Sequence, residues 1–376
     1  MGPLAGLKVV ELAGLGAAPF CAMLLADLGA DIVRIDRSDA RGKGSRFDIL
    51  NRGRRSVALD LKTPDAIATT LRLVEQAEIL LEGFRPGVME RLGIGPDDCF
   101  KVNRRLIYGR MTGWGQRGPL AHTAGHDINY ISIAGTLHAI GGKDAKPVPP
   151  LNLVGDYAGA MLMAFGLVAA VLEARASGIG QVVDGAMLDA ASLSMNRFLG
   201  LHAEGKWRLE RGSNYLDGGA HFYDTYTCAD AKHVAVGPIE PQFYRQLLDR
   251  LGITLDPATQ LDAATWPGQK SILAEAFAKR TRDEWVAEFA GTDACVTPIL
   301  DLAEAPSHPH NAARGTFAER GGVTQAAPAP RFSRTTAELD LPPPRVGEHD
   351  DDALARWGFS EAELADLHRS GAFGRR

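Results

Sequence analysis

His126 and Asp156 lie thirty residues apart, each at a point where a loop feeds a predicted helix. The first sits in the run Gly125-His126-Asp127-Ile128-Asn129-Tyr130. The second closes Asn152-Leu153-Val154-Gly155-Asp156, which follows Pro147-Val148-Pro149-Pro150. In α/β folds such junctions often face a ligand crevice. An imidazole and a carboxylate at such junctions are candidates for general acid/base work, given pKa values suited to proton transfer. Glu240, directly before Pro241 at the start of another predicted helix, is a third acid/base group at a junction. Each also has an ordinary structural use. Asp156 and Glu240 suit helix caps, and His126 suits a hydrogen-bonded core position.

The elements that must hold these groups read as an alternation. Val9–Leu12 is a β-branched strand, Ala17–Leu28 a helix with Gly29 as its C-cap, and Ile32–Ile35 the next strand. Ser56–Leu59, Glu78–Leu81, Leu106–Met111 and Gln181–Asp184 read as further strands. Pro64–Glu75 is a helix with proline in its first turn. A long apolar helix follows Asp156. The pattern predicts an α/β fold, a large Rossmann-like domain with a mainly parallel sheet and right-handed crossovers. Near residue 205 the texture changes. Residues 206–220 read as a polar linker, and a hairpin over 222–236 with helices at 242–251, 269–278 and 282–290 predicts a smaller α+β domain over 221–319. Residues 321–344 read as extended, and 350–367 as one or two short acidic helices.

The 376 residues are 45% hydrophobic and 23% charged, the composition of a globular chain with enough apolar surface for a core. The net charge of −5 argues against a nucleic-acid binder. No basic flank precedes an apolar core at the N-terminus, so no signal peptide is expected. The uncharged stretch Tyr157–Leu172 is too short to span a bilayer and is expected to be a core helix, with no membrane partner. Cys21, Cys99, Cys228 and Cys295 are far apart, and His308 and His310 flank a loop proline. The expectation is reduced thiols, no metal site and a cytoplasmic protein.

Two local features stand out. Gly14-x-Gly16-x-x-Pro19 follows a strand and opens a helix, and Asp36 lies about twenty residues on. This imitates a dinucleotide-binding fingerprint, but proline stands where the third glycine allows close helix–strand packing. A tight turn is the better reading than an NAD-dependent oxidoreductase, although a helix N-terminus also favours anions. From Arg34 to Lys62 there are nine basic residues against four acids, a +5 segment in an acidic chain. Such a segment is either a solvated loop or a site for a phosphate-rich ligand. Residues 338–366 carry −7, suited to solvation or to contact with a basic surface.

Dispersed motifs carry a resemblance. They are Leu7-Lys8-Val9-Val10-Glu11-Leu12, Asp27 to Asp36, Gly83-Phe84-Arg85-Pro86-Gly87, Gly125 to Tyr130, Asn152 to Asp156, Gly180 to Asp184, Val234 to Gly237, Cys295 to Pro298 and Pro344 to His349. Taken in order, they resemble the family III CoA-transferase superfamily and, within it, racemases acting on 2-methylacyl-CoA thioesters. The resemblance implies an acyl-CoA substrate and no cofactor beyond the CoA of the substrate. It also implies an interlocked homodimer, with residues 1–205 completed by a returning segment at about 320–376.

By position, the resemblance gives CoA contacts to Arg37, Lys62, Arg85 and Arg91, with Gly83 and Tyr130 beside the substrate. It makes His126 and Asp156 the proton-transferring pair. The backbone N–H of Asp127 is then a donor to the thioester enolate, Glu240 orients the His126 tautomer, and Asn152 holds Asp156 or the thioester. Met187 and Met195 are candidates for an apolar acyl surface. A rival on the same scaffold is a CoA-transferase in which Asp156 attacks the thioester. The Gly-rich loop of transferases is not visible, since Gly218-Gly219 offers only two glycines in a row. A non-catalytic CoA-binding module would leave three acid/base groups without a use.

Overall fold

The computed structural model describes residues 2–374. They form two compact units. The first comprises residues up to 134, 151–193 and 309 onward, and the second 135–150 and 194–308.

The first unit is built on strands β1 (Lys8–Leu12), β2 (Asp31–Arg37), β3 (Arg55–Leu59), β4 (Ile79–Glu82), β5 (Ile107–Thr112) and β6 (Gln181–Ala186). All pairs are parallel, in the order β3-β2-β1-β4-β5-β6. The expected mainly parallel sheet is therefore present. Side chains alternate between two cores. Val10, Leu12, Val33, Ile35, Val57 and Leu80 face one layer, while Val9, Ile32, Ile79, Leu81 and Ile107 face the other. With both faces covered, the strands read as continuous apolar runs.

Helices α1 (Ala17–Asp27), α2 (Pro64–Gln76), α3 (Val88–Arg91), α4 (Pro96–Val102), α5 (Asp127–Ile133) and α6 (Ala158–Ser177) connect these strands, and α7 (Met187–Ser194) follows β6. Thr63 caps α2 through its side chain, and Pro64 takes the first turn. α1 and α6 cover one face, α2 the other. The stretch Leu153–Ser177, longer than the apolar run read from sequence, has a mean hydropathy of 1.8 and is long and apolar enough to cross a membrane. Here Ala160, Met163, Leu167 and Val171 of that stretch lie in the core of the unit.

The second unit carries α8 (Asn196–Ala203), an antiparallel sheet β7 (Asp224–Thr227), β8 (His233–Val236), β9 (Val296–Pro298), and helices α9 (Pro241–Leu251), α10 (Trp266–Phe277) and α11 (Arg282–Phe289). Its core gathers Phe222, Tyr226, Tyr244, Phe277 and Trp285. The unit begins and ends earlier than the 221–319 read from sequence and takes in 135–150. Residues 206–220 are a tied segment rather than a free linker. Asn214 Nδ2 donates to Arg208 O and Asp217 Oδ2, and Arg211 Nη1 donates to His138 O at 2.8 Å.

The chain then returns to the first unit through α12 (Pro309–Arg314), a hairpin of β10 (Phe317–Arg320) and β11 (Val323–Ala326), α13 (Asp350–Arg356) and α14 (Glu361–Ser370). The hairpin includes part of the segment expected to be extended. The returning tail binds β3 and the turns around it. Asp350 accepts from Ala58 N at 2.8 Å and pairs with Arg41, and Asp60 N donates to Ala372 O. Trp357 Nε1 donates to Asp31, while Glu363 pairs with Arg72. The acidic segment is thus in part a counter-surface for basic residues of its own chain.

Candidate active site

Strand order reverses between β1 and β4, so the chain leaves this point in opposite directions and opens a crevice at the carboxyl ends of the strands. The loops after β1, β4 and β5 enclose a cavity of about 510 Å³. Leu15, Gly16, Gly83, Phe84, Arg85, Met111 and Trp114 line it, together with His126, Tyr130, Asn152, Asp156 and Met187.

His126 is the N-cap of α5, with extended backbone at φ −133°. Its own N–H donates to Asn129 Oδ1 at 3.0 Å, which ties the loop to the first turn. The ring is exposed to the cavity. Asp127 is the first residue of the helix, a position whose N–H has no intrahelical acceptor. Tyr130 is buried, donates to Gly125 O and packs edge-on against Trp114. Burial raises its phenol pKa.

Asp156 is not a helix cap. It lies inside a π-helical turn, Leu153–Tyr157, that precedes α6. Wide turns of this kind are rare and frequent at functional sites. Asn152 Nδ2 donates to Asp156 Oδ2 at 3.1 Å, so Asn152 holds the carboxylate. Burial pushes the Asp156 pKa above the usual aspartate value. The Asn152 bond opposes this, the Asp127 charge adds to it, and His126 opposes it. Gly16, the middle of the apparent fingerprint, has φ +70°, and a Cβ there would come within 3.0 Å of Asp156 Oδ2. The turn that imitates a dinucleotide site makes room for a carboxylate. Its signal in the sequence was the glycine itself.

The loop Gly83–Gly87 is anchored from below. Glu82, fully buried at the end of β4, accepts from Phe84 N at 2.6 Å and from Arg110 Nε at 2.9 Å, and Arg110 also binds Glu90. Burial pushes the Glu82 carboxyl up to about 7. Sequence reasoning passed over Glu82, Trp114 and Met111, since an acid inside an apolar strand and single large side chains carry no motif.

Gly83 and Arg85 line this cavity, whereas Arg37 and Lys62 line a neighbouring one of about 320 Å³ at the ends of β2 and β3. Phe84 lines both. Arg91, at the end of α3, is exposed beside Gly87 and is not among the lining residues of either cavity. Met187 faces the site, and Met195 is not among its lining residues.

Only part of the +5 segment is free to meet an anion. Arg54, fully buried, pairs with Glu11, while Arg52 pairs with Asp27 and Arg34 with Asp36. Arg41 and Arg55 pair with acids of the returning tail. Arg37, Lys43, Arg46 and Lys62 remain exposed, and Arg37 carries Asp39 as a partner. Most of the charge is structural. Glu240, in the second unit, precedes Pro241 of α9, and its exposed side chain makes no capping bond. Among the described residues, no three His, Cys, Asp or Glu side chains are grouped as a metal would require.

Comparison with known proteins decides the family. Residues 4–350 match CoA-transferase family III. The chain belongs to this family. Among its relatives, the α-methylacyl-CoA racemase of Mus musculus is 45% identical, covering 97% of this chain and 96% of the mouse protein. The human α-methylacyl-CoA racemase is 44% identical over the same shares. A CaiB/BaiF family crystal structure from Brucella suis aligns with a TM-score of 0.83 at 27% identity, over 95% of this chain and 99% of that one. The likeness to that structure spans both the parallel-sheet unit and the second unit, whose two pieces interrupt the first at 135–150 and 194–308.

Proposed function

We propose that this family III protein interconverts the two hands of 2-methylacyl-CoA thioesters by 1,1-proton transfer through an enolate. The observation that carries this reading is the convergence of His126 and Asp156 on one cavity, in a chain 45% identical to an α-methylacyl-CoA racemase. One base takes the α-proton, and the electron pair of the broken C–H bond moves into the thioester to form the enolate. The other group, in its protonated form, delivers a proton to the opposite face. The N–H of Asp127 stabilises the enolate oxygen as charge develops. Arg37 and Lys62 receive the phosphates of CoA, and Phe84 separates their cavity from the reacting one. Glu240 enters this reading through the family resemblance, as the group that holds the His126 tautomer. The reaction uses no cofactor, because CoA is part of the substrate.

Incubation of a 2-methylacyl-CoA in heavy water tests the reading. Incorporation of α-deuterium with inversion, and with no acceptor acid present, is the expected result. Acyl exchange that requires an added carboxylic acid, without α-deuterium, would make Asp156 a nucleophile and the protein a transferase.

The same reading includes a homodimer. α6 leaves Met161, Phe165 and Leu172 at 55%, 72% and 63% exposure, an apolar row on a helix whose other side lies in the core. Sedimentation is expected to give twice the chain mass, and Phe165→Glu to give monomer. A monomeric wild-type protein would remove the dimer.

A further inference from the structure

Asp127 adjoins His126 in sequence and is 5% exposed. Its Oδ1 accepts the N–H of Gly155 at 2.6 Å and of Asp156 at 2.8 Å. One carboxylate therefore joins the segment that carries the imidazole to the segment that carries the other base. The approach depends on glycine: a Cβ at Gly155 would lie 2.6 Å from Asp127 Oδ1. Oδ2 is buried without a hydrogen-bond partner, a costly placement for a carboxylate oxygen.

We propose that the Asp127 side chain is a positioning residue that fixes the separation of His126 and Asp156 by binding the backbone of one while adjoining the other. This rests on the reading of His126 and Asp156 as the acid/base pair. The carboxylate also acts through its charge. Around Asp156 stand Asp127 and Tyr130 of α5, His126 at the cap of that helix, Asn152 on its own segment, Arg85 on the cavity wall and Gly16 at the cap of α1. Of these, Asp127 is the one that favours the protonated form of Asp156.

Two variants separate position from charge. Asp127→Asn keeps an acceptor for both amides and removes the charge. In carbon-13 NMR of aspartate-labelled protein, with Asp156 assigned by its loss in D156N, the Asp156 midpoint is expected at lower pH than in wild type. Asp127→Ala removes the acceptor as well. Amide exchange at Gly155 and Asp156 should then accelerate roughly tenfold. The kcat for α-proton exchange should fall roughly 10- to 100-fold with KM nearly unchanged. Gly155→Ala, which displaces the carboxylate while leaving Asp127 in place, should repeat that loss of kcat and guards against Asp127→Ala failing to fold. An unchanged Asp156 titration in D127N, with wild-type kcat in D127A and G155A, overturns the proposal. The NMR readouts need no turnover. A wild-type protein that exchanges no α-protons therefore overturns the racemase reading and leaves them to decide on Asp127.

Discussion

Asp156→Asn is expected to slow α-proton exchange from one enantiomer of a 2-methylacyl-CoA by about 10²- to 10⁴-fold and to spare exchange from the other. His126→Ala should do the reverse. The reason is geometric. Each group serves one face of the carbon, so removing it blocks deprotonation from that face while the remaining base still draws and returns protons on its own side. Inversion behaves differently, because it needs both groups in sequence. Racemisation should fall in both directions in either variant, with the ratio of the two rates pinned by equilibrium. Exchange splits and inversion does not. Equal exchange from both enantiomers in both variants would remove the two-base assignment. Burial raises the Asp156 pKa, so the exchange that depends on it should weaken as the pH falls through a value above the ordinary aspartate range.

Glu11→Ala is expected to cost about 3–5 kcal/mol of stability, although Glu11 is not among the lining residues of either cavity. Glu11 and Arg54 are both fully buried, at 3.1 Å. Arg54 also donates to Pro19 O at 2.9 Å and Arg52 O at 2.8 Å, which binds the first turn of α1 to the strand start at β3. Removing the acid leaves a buried guanidinium with neutral oxygen partners and no carboxylate of its own, since nearby Asp27 is already paired with Arg52. Typical domain stability is only about 5–15 kcal/mol, so the loss should be plain in a urea titration as a lower midpoint. Replacing both residues with Leu should recover much of it, because neither charge then has to be desolvated. A loss below about 1 kcal/mol in Glu11→Ala would show the pair to be solvated in solution.

The strands and most helices were legible because parallel strands covered on both faces are apolar throughout, and because Gly29, Pro64 and Pro241 mark helix ends. The junction positions of His126 and Asp156 were legible for the same reason. Their convergence was not, since it depends on a strand order that no local pattern encodes. The basic segment shows the limit most clearly. A count of charges from Arg34 to Lys62 records how many there are but not where their partners lie. Asp27 and Glu11 lie upstream, and Asp350 and Asp352 nearly three hundred residues downstream. The π-helical turn around Asp156 was equally hidden, because Leu-Val-Gly-Asp-Tyr carries no signal for a wide turn.

The tail that pairs with β3 has a consequence for how the protein is made. A growing chain folds its domains roughly in order of emergence. The second unit, spanning 194–308 with one earlier piece, is complete in sequence before the first. β3 must wait on the ribosome with Arg41 and the N–H of Ala58 unmatched until α13 appears, because Ala58 N and Asp350 are 292 residues apart. A nascent chain stopped before residue 345 therefore already carries every residue that lines the two cavities but lacks the tail that packs on β3. Synthesis lays down the cavity walls first and the brace for their strands last.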